Sequence, residues 1–160
     1  MGYVIVYLVA IVAANLSVAY FGAWITPITA FLFIGLDITT RDSLHDKWEH
    51  KNLLLKMGLL ISAGSILSWV LNRNAGQIAL ASFVAFGVSS VIDAIVYHKV
   101  KASNFEKVNW SNLASGAIDS ILFPAIAFGW PPSMEIVYGQ ATAKIAGGLF
   151  WSLILIRFKR

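Results

Sequence analysis

Long apolar runs recur along the whole chain, and they constrain its fold more than any other feature. Only 12% of the 160 residues are charged, whereas a soluble domain has about 25%. Because so few charges cannot cover a surface that faces water, we expect the chain to fold in lipid. A helix that spans the hydrocarbon needs about 20 predominantly apolar residues. Six stretches meet this need: 3–21, 23–39, 53–71, 77–98, 110–129 and 139–157.

These spans predict an all-α integral membrane protein. Helices satisfy their backbone polar groups internally, as lipid requires, and the runs are continuously apolar rather than alternating as in a β-barrel. The loops between spans are very short, so consecutive helices should be antiparallel neighbours. We expect residues 1–160 to form one domain, a compact bundle of six transmembrane helices.

The basic residues predict how this bundle is oriented. Ten of the twelve lysine and arginine residues follow span 2 or open span 3, lie between spans 4 and 5, or end the chain. With six spans, these three groups lie on one side of the membrane, and basic loops are enriched on the cytoplasmic side. The pattern predicts a multi-pass protein of the cell (inner) membrane with both termini cytoplasmic.

Polar side chains in the middle of the spans are the main functional signal. Asp119 interrupts the apolar run NLASGAIDSILFPAIAFG (112–129), although a charge at the bilayer centre costs roughly 2.5–3.5 kcal/mol. Counted at about 1.5 Å per residue, Asn15, Asp119 and Lys144 lie at nearly the same depth in three spans. A carboxylate that faces an ammonium makes both tolerable. We predict that they converge on a solute; a structural ion pair that fixes helix register is the alternative.

Further residues extend this predicted solute site. SSVIDAIVY (89–97) and SGAIDSILF (115–123) align Asp93 with Asp119 and end on an aromatic residue. A carboxylate accepts two parallel N–H bonds from a planar donor pair such as a guanine-like edge, and Phe123 could stack on a ring. The chemistry therefore favours a flat heteroaromatic solute.

One polar stretch, GLDITTRDSLHDKWEHKN (35–52), follows span 2. Asp37, Arg41 and Asp42 lie near its start, where we predict a gate or a structural charge cluster at the cytoplasmic end. Carboxylates and a histidine share one helix face here, but the basic residues among them favour a solvated face over a metal site. We predict no metal and no cofactor. No nucleophile elbow, His-Glu-Xaa-Xaa-His or phosphate-binding loop occurs, so we predict no enzyme.

These residues resemble the queuosine precursor transporters, also called the vitamin uptake transporter (VUT) family, in the short form found in bacteria and their phages. The resemblance lies in AANLSVAYFG (13–22), ITPITAFLFIGLDITTRDSLHDKW (25–48), FGVSSVIDAIVY (86–97), NWSNLASGAIDSILFPAIAFG (109–129) and Lys144. It implies uptake of 7-cyano-7-deazaguanine or its aminomethyl relative. Carried over residue by residue, it implies roles for Asn15, Asp37, Arg41, Asp93, Asn109, Ser115, Asp119 and Lys144.

Together these observations predict a transporter that imports a 7-deazaguanine through a site near the membrane midplane. The predicted substrate-binding residues are Asn15, Asp93, Asn109, Ser115, Asp119, Phe123 and Lys144. The expected partners are this solute and the lipid bilayer; a homo-oligomer stays open, and no nucleic acid is expected. One alternative is a substrate-binding membrane subunit for a vitamin-like solute that works with an energising partner. Another is a membrane scaffold that transports nothing.

Overall fold

A computed structural model of the chain describes residues 2–48, 52–100 and 104–158. The helices in these ranges are α1 (Gly2–Phe21), α2 (Thr26–Thr29), α3 (Gly35–Trp48), α4 (Leu53–Leu71), α5 (Gly76–Lys99), α6 (Asn104–Phe128) and α7 (Met134–Phe158). A π-helical segment, Ala30–Ile34, joins α2 to α3 without a break, so these three form one rod, the second rod. Short 3₁₀ turns, Ala23–Ile25 and Arg73–Ala75, precede α2 and α5. Six helical rods result, and the described residues contain no strand, which confirms the all-α prediction.

Four stretches are long and apolar enough to cross a membrane: Gly2–Phe21, Ala23–Arg41, Arg73–Tyr97 and Trp110–Phe128. Leu55–Leu71 is a shorter apolar helix. The sixth predicted span lies within α7, which is not among these four stretches. The number of rods thus agrees with the sequence prediction, and four of them are membrane spans by length and composition.

Turn-forming residues separate the rods. Gly22 follows α1 with φ +84°, a positive φ that glycine adopts readily because it has no Cβ, and its N–H donates to the Val18 carbonyl. Pro27 lies in the first turn of α2, where its missing N–H is not needed by the helix. The second rod is therefore a separate helix, joined to α1 by a tight turn.

The core lies where α1 packs against α4 and the second rod. Its buried side chains include Tyr7, Ile11, Leu44, Met57, Ile61 and Phe86. Large apolar side chains cover the outer surface of the bundle as well; Leu59 on α4 and Leu153 on α7 are both more than half exposed. Such an apolar exterior is what a helix bundle presents to lipid.

α7 crosses the second rod at backbone contact distance. A Cβ added to Gly35 would lie 2.5 Å from the Gly147 carbonyl carbon, and one added to Gly147 would overlap the Phe31 carbonyl oxygen. The Trp151 indole also donates to the Leu32 carbonyl in the π-helical segment, at 2.8 Å. Small residues permit this close approach of helices in membranes. The crossing holds α7 in a register that turns Lys144, three residues before Gly147, into the bundle.

Candidate functional site

A buried ion pair joins α6 to α7 at the centre of the bundle. Lys144 Nζ donates to Asp119 Oδ2, and the two residues are 4% and 5% exposed. The same ammonium donates to Ser120 Oγ at 3.0 Å and to Gln140 Oε1 at 3.4 Å. Because an ammonium has three N–H donors, these acceptors satisfy it fully, as a buried charge requires.

Asn15 connects three helices at the edge of this pair. Its Nδ2 donates to Ser68 Oγ on α4 at 3.1 Å, and its Oδ1 accepts from Ser82 Oγ on α5. Ser68 in turn donates to the Gly64 carbonyl at 2.7 Å. Hydrogen bonds between side chains of different helices stabilise membrane bundles modestly. Asn15 therefore holds α1 against its neighbours as well as bordering the site.

Two narrow cavities meet at the ion pair. The first, the Gln140 cavity, encloses about 330 Å³ of atom-free space, counted out to its open mouth, and the second, the Arg41 cavity, about 360 Å³. Both are lined by Ile34, Phe86, Asp119 and Lys144. In the present conformation each has room for about one water. A ring-sized solute can enter only if the surrounding helices move apart.

The Gln140 cavity adds a mixed polar and aromatic wall to the shared residues. Asn15, Thr29, Ser82, Phe123 and Gln140 contribute to it. The Phe123 ring packs against the Phe128 ring edge to face, with 6.1 Å between the ring centroids. In this arrangement Phe128 covers at most one face of the Phe123 ring. A cavity of this kind offers both hydrogen bonds and a stacking surface, as small-molecule sites do.

Unsatisfied polar atoms mark the same cavity. Asp119 Oδ1 and Gln140 Nε2 are buried and have no hydrogen-bond partner among the residues described. Leaving such an atom unpaired costs about 1–3 kcal/mol, and most buried polar atoms in native proteins are paired. An acceptor and a donor therefore remain available beside one ammonium.

The Arg41 cavity contains the charged residues predicted at the end of span 2. Asp37 and Arg41 are buried on α3 and line it, together with Asn112 and Ser115 on α6. Arg41 Nη2 donates to Asn112 Oδ1 at 2.9 Å, and Ser115 Oγ donates to the Asn112 carbonyl at 3.3 Å. The arginine thus links α3 to α6 on the side of the ion pair away from Gln140.

The structure divides the predicted site residues into three groups. Asn15, Asp119, Phe123 and Lys144 line the Gln140 cavity, whereas Ser115, Asp37 and Arg41 line the Arg41 cavity. Asp93 is buried on α5 but lines neither of these cavities, and its Oδ1 has no partner in the described part of the chain. The side chains of Asp42 and Asn109 lie outside the described residues.

Gln140 is a site residue that the sequence analysis did not single out. It lies four residues before Lys144 on α7, and residues at this spacing share one face of a helix. Its signal was the polar amide one turn from an intramembrane lysine. Ser82 and Ser120 were missed as well, because single serines are common in membrane helices.

A family model described as "Putative vitamin uptake transporter" matches residues 3–157, a range that includes every residue of both cavities. This match confirms the resemblance noted in the sequence. Neither the curated proteins nor the solved structures contain a match to the chain.

Proposed function

Since the chain belongs to the vitamin uptake transporter family, we propose that it imports a queuosine precursor, 7-cyano-7-deazaguanine or 7-aminomethyl-7-deazaguanine. The observation that carries this proposal is the state of Asp119. Its Oδ2 is paired with Lys144, while its Oδ1 is buried beside a cavity without a partner among the described residues. A 7-deazaguanine presents a ring N–H and an exocyclic amine in one plane, and a carboxylate accepts from such donors.

The Gln140 cavity is the binding site in this proposal. The donor edge of the heterocycle meets Asp119, and Phe123 contacts the face of the ring system. Lys144 pairs with Asp119 Oδ2 and leaves Oδ1 as the acceptor for the solute. Asn15 and Ser82 bond to each other across α1 and α5 and give this wall a fixed polar edge.

Transport requires the solute to pass the ion pair. Asp119 and Lys144 border both cavities, so they form part of the partition between them. Solute N–H groups that bond to Asp119 compete with the Lys144 ammonium for the carboxylate. The ion pair therefore opens only when a solute with suitable donors is present. The Arg41 cavity then receives the solute, and the Asp37–Arg41 cluster forms its exit gate. With both termini cytoplasmic, this exit faces the cytoplasm.

A vitamin-like solute is the second candidate, and the description of the matched family favours it. In that case the chain would be a substrate-binding membrane subunit, and a separate protein would supply the energy. The two candidates differ in the compound that the protein takes up, so an uptake experiment with a labelled 7-deazaguanine separates them.

The test is uptake of labelled 7-cyano-7-deazaguanine into cells that cannot synthesise it. We expect uptake with the unsubstituted chain and its loss with Asp119→Asn. Asp93→Asn is the matched control, because Asp93 is a buried aspartate of a neighbouring helix that lines neither cavity, and it should retain uptake. Amounts of each variant in the membrane fraction are measured in parallel. Absence of uptake by the unsubstituted chain would refute the substrate, and equal uptake with Asp119→Asn would refute the role of Asp119.

A further inference from the structure

We propose that Gln140 is a specificity-determining residue that donates an amide N–H to a ring carbonyl of the solute, while Asp119 accepts from the adjacent ring N–H. This inference rests on the proposed function and deepens it. The recognised group is then a lactam edge, in which N–H and C=O lie on neighbouring ring atoms. A solute without the carbonyl also lacks the adjacent ring N–H, so both residues discriminate against it, and replacing Gln140 should remove the part of the discrimination that Gln140 supplies.

The orientation of the Gln140 amide follows from its neighbour. Gln140 is 3% exposed, and its Oε1 lies 3.4 Å from Lys144 Nζ. A lysine ammonium can only donate hydrogen bonds, so the oxygen, and not the NH₂ group, must face it. The NH₂ group is thereby directed elsewhere, and its nitrogen is buried without a partner among the described residues. A donor is thus left for a ligand.

The donor and the acceptor belong to two side chains that bind the same ammonium. Lys144 Nζ contacts the paired oxygen of Asp119 and the oxygen of Gln140, so both head groups flank one ammonium. Both residues line the Gln140 cavity, and Asp119 Oδ1 and Gln140 Nε2 are their polar atoms that have no partner among the described residues. An adjacent acceptor and donor are complementary to an adjacent N–H and C=O. In a 7-deazaguanine this pair belongs to the six-membered ring, whereas the cyano or aminomethyl group is on the other ring.

A structural role is the competing explanation, because Gln140 also supports Lys144. Ser120 provides the matched control for that role. Its Oγ accepts from the same ammonium at 3.0 Å and it is fully buried, yet it borders neither cavity. Ser120→Ala therefore removes a partner of Lys144 and leaves the cavity wall unchanged. Gln140→Met removes the partner and the donor together while keeping the length of the side chain.

The experiment measures how well unlabelled analogues compete with labelled 7-cyano-7-deazaguanine for uptake. The two analogues are 7-deazaguanine and 2-amino-7-deazapurine, which lacks the ring carbonyl and the adjacent ring N–H. The loss of the N–H affects Asp119 in every variant, so it cancels when the variants are compared. For each variant we determine the inhibition constant of 2-amino-7-deazapurine divided by that of 7-deazaguanine, as in a double-mutant cycle between a side chain and a ligand group. We expect Gln140→Met to lower this ratio about tenfold, since an unpaired donor no longer penalises the second analogue. We expect Ser120→Ala to leave the ratio unchanged.

Each other outcome counts against the inference. If Gln140→Met takes up the labelled compound with an unchanged ratio, the role of Gln140 is refuted and the proposed function stands. If Ser120→Ala lowers the ratio equally, Gln140 acts only through Lys144 and the inference is again refuted. If the unsubstituted chain takes up nothing, both proposals fail. Should Gln140→Met insert but not transport, the same ratio is measured by equilibrium binding to the purified protein in lipid nanodiscs.

Discussion

Replacing Lys144 with methionine should destabilise the bundle far more than replacing the whole ion pair. Lys144→Met leaves Asp119 buried and removes the only hydrogen bond that its side chain makes among the described residues. Breaking a buried pair by removing one partner costs about 3–5 kcal/mol, whereas replacing both partners with uncharged residues is often close to neutral. We therefore expect a loss of about 3–5 kcal/mol in the free energy of unfolding for Lys144→Met. Lys144→Met combined with Asp119→Asn should recover most of that loss.

The assay is a denaturant titration of each purified variant in bicelles, accompanied by uptake measurements in cells. The double variant separates stability from function: it should fold nearly as well as the unsubstituted protein and still fail to import the solute. Two results would contradict the reasoning. One is equal destabilisation of the single and double variants, since the cost would then not come from an uncompensated charge. The other is normal uptake by the double variant, which would make the pair a packing feature.

Three further predictions concern the neighbouring contacts. Gly147→Ala should destabilise the protein by about 1–3 kcal/mol, because the added Cβ would overlap the Phe31 carbonyl. Gly58→Ala is the control: nothing lies within 4 Å of its added Cβ, so it should raise helix stability by roughly 0.5–1 kcal/mol. Unfolding titrations compare the two variants. Asn15→Leu should lower the free energy of unfolding by about 1–3 kcal/mol, since it leaves the buried Ser82 hydroxyl without its acceptor. A variant as stable as the unsubstituted protein would refute the cross-helix link. Phe123→Leu should weaken solute binding by about 0.5–1.5 kcal/mol through lost stacking, as measured by the Michaelis constant for uptake, and an unchanged constant would remove Phe123 from the site.

The sequence predicted the depth of the site better than its direction around each helix. Depth follows from the constant rise of a helix, and it correctly brought Asp119 and Lys144 to one level. Direction follows in soluble proteins from the polar outer face, but here lipid-facing and core-facing surfaces are both apolar. Asp93 shows the difference, because its local sequence repeats that around Asp119 and yet it lines neither cavity.

The second rod shows a different limit. It contains a π-helical segment, Ala30–Ile34, which the sequence analysis did not predict. The place of Gly35 depends on Gly147, which lies far away in the sequence. No local pattern encodes that pairing, since only the packing of α7 against the second rod brings the two glycines together. Gln140 lies one turn from Lys144 in the sequence, but the direction of its amide follows only from the contact between its Oε1 and the ammonium.

The contact between Gly35 and Gly147 also gives α7 the mechanics of a lever. Two backbones that already touch cannot approach further, so the crossing acts as a fulcrum. Lys144 is about 4.5 Å along the axis from Gly147 and Met134 about 20 Å, by the helical rise. A tilt of about 10° would thus shift Lys144 by about 0.8 Å and the beginning of α7 by about 3.5 Å. The beginning of α7 would therefore move about four times as far as the ammonium that pairs with Asp119.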